Sequence, residues 1–237
     1  MPSVKRNGAR VDHGLSMTDS RIVSSRRLAS SKGRSRRATV AGPPSHSSLP
    51  GLKLMVAKGG LRSSALQFRR RLFEKEQGTE GLDEFDNHAV QLVGSVKGEI
   101  VAAARLVEPG RRPFGLEQYF DLAVHLGKRE RVAELSRYCL HEEWRDIVRG
   151  TVLHLGMLKL AILYAQARKI ESVVGSVQPR FRALYERVYF KSIGPSFHHP
   201  IFGHTTIMLL RLGAGQWAKA HPLRTLIEDS RIPEVHL

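Results

Sequence analysis

From residue 54 onward the chain alternates between two hydrophobic periods, and the order of those alternations limits the folds it can adopt. Leu61, Ala65, Leu66, Phe68, Leu72 and Phe73 repeat at the spacing of one helix face, and Gly78 follows as a stop. Residues 89–94 and 99–107 are short and β-rich, and Lys97-Gly98 between them reads as a hairpin turn. Residues 131–141 read as a strand, 150–168 as a long helix with a thick apolar face, and 170–177 as another strand. A short helix over 180–188 and a closing strand over 204–212 complete the series. Strands followed by strand, helix, strand, helix, strand predict an α/β domain around a mixed central sheet flanked by helices.

At 237 residues and 41% hydrophobic side chains, the chain can build one sizeable domain plus an appendage. Cys139 is the only cysteine, which excludes an intrachain disulfide and a cysteine-based metal site. A reducing cytoplasm is the natural setting. The longest apolar stretch, 152–167, contains His154 and Lys159 and is short for a bilayer span, so no stable membrane insertion is expected. The N-terminus lacks the apolar core of a secretory signal.

The net charge of +16 is unevenly spread: residues 1–50 hold ten Lys/Arg against two Asp, the rest 28 against 20. The first segment is rich in Arg and Ser and poor in large apolar residues, so it cannot offset its ordering entropy and is expected to be a disordered basic tail. With the Pro/Gly/Ser linker at 42–51 it makes up residues 1–53; the folded domain takes 54–237. Three readings of the tail stay open: a quiet solvated extension, an organelle-targeting peptide, or an arm that binds nucleic acid, membrane or an acidic protein.

A few charges stand out from this core. Asp83 and Asp86 lie three apart, Arg105 closes the apolar run 100–105, and Glu134 and Arg137 share one strand-like segment. In a regular strand, residues i and i+3 point to opposite faces. Glu134 and Arg137 can therefore serve one site only if a bulge inserts a residue, expected near Leu135-Ser136. The histidines show no metal spacing and no metal is expected; His154, on an apolar helix face, reads as a satisfied core histidine.

Arg69 and Phe73 in the first helix, the Asp83/Asp86 pair, Arg105 after its strand, Phe120, and Glu134 with Arg137 form an ordered set over residues 60–212. That set resembles the signature of the acyl-homoserine-lactone (autoinducer) synthases and the related N-acyl amino acid synthases. Both belong to the acetyltransferase-type (GNAT) superfamily. The resemblance implies a GNAT-type fold and transfer of a fatty acyl group from acyl carrier protein to an amine. It further implies that Arg69, Asp83, Asp86, Arg105, Glu134 and Arg137 shape the acceptor and reaction site.

The homoserine-lactone synthases carry a tryptophan soon after the first helix, where this chain has Gln77-Gly-Thr-Glu80. The stretch from Val177 to Tyr185, with Phe190 and Gly194, is more similar to the amino acid acylating relatives. The expected acceptor is therefore the α-amine of an amino acid. The alternative is S-adenosylmethionine, in a homoserine-lactone synthase. A rival of another class is a nucleic-acid-binding protein acting through its tail.

Such a transfer needs a base for the amine proton, for which Glu134 is the candidate. It also needs a planar donor for the acceptor's carboxylate, from Arg105 or Arg69. Asp83 and Asp86 either hold the amine or order the arginines. Arg105, Glu134 and Arg137 are thus the expected catalytic residues; Arg69, Asp83, Asp86, Phe73 and Phe120 are the expected binding residues. Residues 142–150 hold one glycine and make a poor phosphate cradle, which favours a carrier-protein donor over coenzyme A and implies no separate cofactor. Each assignment has a plainer rival: Asp83 and Asp86 as turn caps, Arg105 as a solvated strand end, Glu134 with Arg137 as a structural ion pair, Phe73 and Phe120 as core. Cys139 reads as a packing residue. Glu134→Gln and Arg105→Ala are each expected to abolish turnover with little change in unfolding.

Overall fold

The computed structural model describes residues 49–127, 130–213, 222–229, 232 and 235–237. Of the expected tail, residues 1–48 lie outside the described residues. The chain order begins with β1 (Leu52–Ala57), α1 (Gly59–Gln77), β2 (Val90–Val96), β3 (Glu99–Val107) and β4 (Val132–Leu140). It continues with α2 (Ile147–Ala167), β5 (Ser172–Val177), α3 (Pro179–Arg187), β6 (Lys191–Ser192), β7 (Phe197–His199) and β8 (Gly203–Arg211), then α4 (Pro222–Glu228) and β9 (Val235–His236). The strands form one mixed sheet in the order β6-β8-β5-β4-β3-β2-β1-β9, with β7 paired to β8.

The helices and the hairpin start and stop where local chemistry dictates. Gly78 ends α1 in the left-handed region, at φ 64°, and its N–H donates to the Glu74 carbonyl. The hairpin turn forms at Lys97 and Gly98, φ 52° and 87°, and sets Val96 opposite Glu99. Two positive φ values in a two-residue loop match the twist of the flanking strands. Asp146 caps α2 by accepting from the N–H groups of Val148 and Arg149, and Pro179 opens α3.

The two sheet faces are filled differently. Ala102, Ala104 and Leu106 of β3 pack with Leu153, Met157 and Leu160 of α2. By length and composition α2 could cross a bilayer, but here it is the core helix of this layer. Ala103 points the other way, joining Cys139 under Phe68, Leu72 and Phe73 of α1. Beyond α1 that second face is covered by the segment around Phe114, Leu116 and Leu122, which packs on Val107, Val132, Val174 and Ile207.

β4 and β5 are parallel neighbours for three positions, from Val132 with Ser172 to Glu134 with Val174, and their pairing ends there. Both strands continue, to Leu140 and Val177, and a cleft opens between them. At the point of divergence a side chain at Gly175 would put Cβ 2.7 Å from the Leu135 carbonyl oxygen, so glycine lets the strands touch before they part.

Candidate active site

The expected bulge exists, one to two residues beyond where the sequence placed it. Ala103 faces Cys139 and Arg105 faces Ser136, so two steps along β3 match three along β4. The extra residue falls in Arg137-Tyr138, and Arg137 takes a left-handed backbone, φ 55°. Glu134 and Ser136 share a face by ordinary alternation. The bulge then turns Arg137 back toward them.

Two carboxylates and three arginines interlock beneath this strand. Asp83 accepts from Arg105 and, at 2.9 Å, from Arg137. Asp86 accepts from Arg69 at 2.6 Å, with Arg105 at 3.4 Å. Gln91, opposite Arg105 on β2, links to both Asp86 and Arg69, at 3.1 and 2.8 Å. Arg69 also donates to the Gly81 carbonyl at 2.8 Å. The turn-cap reading of the acids holds as well: Asp83 accepts from the Phe85 N–H, and the Asp86 carboxylate from the Asp83 N–H. Burial alone would push Asp86 up; the hydrogen bond and charge of Arg69 and the charge of Arg105 outweigh it and hold the carboxyl below its ordinary range.

Glu134 meets that network at Arg105. Its carboxylate is 4.0 Å from Arg105 Nη2 and accepts a long bond, 3.4 Å, from the Leu116 N–H. It is 3% exposed, and burial raises its pKa despite the opposing charges of Arg105 and Arg137 and the Ser136 hydroxyl. A buried carboxyl with an upward shift at the edge of a cleft has the properties of a general base.

A cavity of about 790 Å³ opens along the divergence of β4 and β5. Glu134, Arg105, Asp83, Arg137 and Phe73 line it, and the Arg137 guanidinium lies over the edge-packed rings of Phe73 and Phe202, 5.8 and 5.9 Å from their centres. Three expected binding residues lie elsewhere. Arg69 and Asp86 are outside the lining, since their charges are spent on each other beneath it. Phe120 stacks on His125 against Gly194. Arg105 is not a solvated strand end, being 1% exposed, and Glu134 pairs with Arg105 rather than with Arg137. Cys139 is buried, which pushes its thiol up to about 12.

Sequence reading missed four participants. Ser136 accepts from Arg105 Nε at 3.1 Å; its position two residues after Glu134 was the available signal. Gln91 gave none, because its role depends on strand register. Tyr138 and His154 line the far side of the cavity. His154 is buried as expected but not satisfied: its Nε2 has no hydrogen-bond partner.

The fold and the chain's family are now independently supported. Residues 65–213 match the model of the family "N-acyl amino acid synthase FeeM". No curated protein sequence matches the chain. Among solved structures, FeeM, an N-acyl amino acid synthase from uncultured soil microbes, is similar at 15% identity and a TM-score of 0.60, covering 68% of this chain and 90% of FeeM. BjaI, a CoA-dependent acyl-homoserine lactone synthase solved with SAM and isopentyl-CoA, is similar at 17% identity and a TM-score of 0.61, covering 79% and 93%. The acyl-homoserine-lactone synthase LasI gives 14% identity and a TM-score of 0.54, covering 69% and 91%. The expected acetyltransferase-type fold is thus the observed one, and the chain is an acyltransferase that belongs to the FeeM N-acyl amino acid synthase family.

Proposed function

We propose that the protein transfers a long-chain fatty acyl group from acyl carrier protein to the α-amine of an amino acid. The observation that carries this reading is Glu134: a buried carboxyl with raised pKa, at the divergence of β4 and β5, beside a guanidinium cluster. The neutral amine attacks the thioester carbonyl, a C–N bond forms, and the amine proton passes to the Glu134 carboxylate. Collapse of the tetrahedral intermediate breaks the C–S bond, and the departing thiolate takes up a proton. Backbone N–H groups of β4 beyond Glu134, where its pairing with β5 ends, are the donors assigned to the developing oxyanion.

Arg137 is the better fit for the acceptor's carboxylate. Arg105 is already committed to Asp83, Asp86 and Ser136, whereas Arg137 has one carboxylate partner and a side chain 18% exposed to the cavity. The carrier-protein donor is favoured by the start of α2. There the Asp146 carboxylate occupies the N–H groups of Val148 and Arg149, and so places negative charge where a pyrophosphate would need donors. Arg145, Arg149, Arg168 and Lys169 are the candidates for docking an acidic carrier protein.

Mass spectrometry of lipid extracts from bacteria expressing the full chain tests this, with Glu134→Gln as control. A new long-chain N-acyl amino acid, absent from the control, is expected. An acyl-homoserine lactone would replace the acceptor with S-adenosylmethionine. Folded protein that yields no acylated amine from any acceptor would overturn the reading.

A further inference from the structure

The hairpin of β7 and β8 sets a histidine in the cavity wall with its tautomer fixed. His199 ends β7 opposite Gly203, and the loop between them is Pro200, Ile201 and Phe202. Proline brings no N–H. The other two loop N–H groups, of Ile201 and Phe202, both donate to His199 Nδ1, at 3.1 and 3.2 Å. Nδ1 is therefore the bare nitrogen, and in the neutral ring the proton sits on Nε2. Burial, the charge of Arg137 and that of His198 lower the His199 pKa, so the ring is neutral at pH 7.

The packing around the ring decides what Nε2–H faces. Tyr119 and Phe202 flank the ring, 4.9 and 4.6 Å away centre to centre, and the Nδ1 edge is turned into the loop. The Nε2 edge is left for the cavity, which His199, Tyr119 and Phe202 line together. Nε2 donates to no described residue, yet it is not one of the buried unpaired atoms, so in this half-buried ring it keeps accessible surface. Arg137 packs on the same Phe202 ring, 5.9 Å from its centre, and lines the same cavity. A cation and a fixed neutral donor thus share one aromatic support. That pair suits an anion with two oxygens: the guanidinium supplies charge, and the imidazole supplies a directed N–H.

We propose that His199 Nε2–H is the second donor to the acceptor's carboxylate, taking one oxygen while Arg137 takes the other. The proposal rests on the acyl-transfer reading above and completes its acceptor site.

His199→Asn is the discriminating variant. Its side-chain oxygen stands where Nδ1 stood and accepts from the loop N–H groups, as asparagine does in turns, but nothing replaces Nε2–H. The full chain with isotope-labelled histidine is followed by long-range proton–nitrogen NMR, the variant giving the assignment. Free wild type should show the Nε2–H tautomer at His199. The proteinogenic amino acids are then titrated in, each beside its carboxamide. At least one amino acid should move the Nε2 signal, and its carboxamide should not. His199→Asn should bind that amino acid about tenfold more weakly, bind the carboxamide as wild type does, and melt within a few degrees of wild type. An Nδ1–H tautomer, or no amino acid that moves the signal, would overturn the proposal. So would unchanged affinity in His199→Asn, which leaves His199 a turn residue, or equal losses for amino acid and carboxamide, which leave it a wall. Turnover with dodecanoyl-acyl carrier protein is read separately. Product formed by His199→Asn at an unchanged acceptor KM retires the His199 assignment and keeps the reaction; carboxylate-dependent binding without product does the reverse.

Discussion

Arg137 reaches Asp83 from a left-handed backbone: at φ 55°, its Nη2 donates to Asp83 Oδ2 at 2.9 Å across 54 residues of chain. The bulge that creates this conformation aligns Arg137 with Glu134 on the cavity wall. A non-glycine residue held there costs about 1–2 kcal/mol relative to an unstrained backbone. That strain sits at the site, where it fixes a guanidinium that ordinary strand alternation would have turned away.

Arg137→Gly removes the strain together with the ion pair. The two changes are of similar size, since the pair is partly exposed, so the melting temperature should move by only a few degrees. Under the proposed function, the KM of the amino acid acceptor should rise about tenfold or more through loss of a charge-assisted hydrogen bond. A fall in kcat with unchanged KM would instead assign Arg137 to the chemical step.

Arg69 should behave as a structural residue. Arg69→Met leaves buried Asp86 with the neutral donors Gln91 and the Asp83 N–H and with Arg105, at 3.4 Å, as its remaining ion-pair partner, and breaking a buried pair in this way typically costs about 3–5 kcal/mol. Urea melts of Arg69→Met, Asp86→Leu and the double variant give the coupling; the double variant should recover much of the loss. Because Asp86 is held below its ordinary range, its contribution is present above the unfolded pKa of about 4. It disappears as pH falls through the lower folded pKa. Arg69→Met should therefore lose most stability relative to wild type near neutral pH and least in strong acid. The same reasoning corrects the sequence-based expectation for Arg105→Ala: a 1% exposed guanidinium among three carboxylates cannot be removed without loss of stability.

Long periodic segments made the fold legible. The hairpin at Lys97-Gly98, the stop at Gly78, the core helix and the strands around it all follow from local pattern and turn chemistry. β1 escaped because Leu52–Ala57 is almost uniformly apolar and shows no alternation. The site was legible as a set of charges but not as an arrangement. Nothing in the spacing of Arg69 and Asp86 distinguishes a lining residue from one that supports the lining. The bulge was required by the i, i+3 spacing of Glu134 and Arg137. Its position was not, because it depends on which β4 residue faces Ala103. The orphaned His154 depends on what α3 brings against α2, which no local pattern encodes.

Asp146 should tune the choice of donor. Asp146→Asn keeps a capping oxygen for the Val148 and Arg149 N–H groups but removes the charge. Helicity and melting temperature should hardly change, and use of acyl-coenzyme A should improve several-fold relative to acyl carrier protein in paired kcat/KM measurements. An unchanged ratio would mean that the donor's phosphates lie away from this helix end.

Glu134→Gln separates the base from its surroundings through pH. Burial raises the Glu134 pKa above 4.5, and the carboxylate form is the one that accepts a proton. In wild type, kcat/KM should therefore climb with pH along a limb centred above the ordinary glutamate range. In Glu134→Gln that limb should be absent and the remaining rate lower by about 10²–10⁴. Stability should run the opposite way. A raised folded pKa contributes fully below the unfolded value, and the contribution is lost as pH rises through the folded value. The variant should thus melt at or above wild type at pH 8, with the gap closing toward pH 4. If the limb persists in Glu134→Gln while the stability difference behaves as stated, Glu134 is a buried carboxyl that shapes the cleft, and the proton is taken elsewhere.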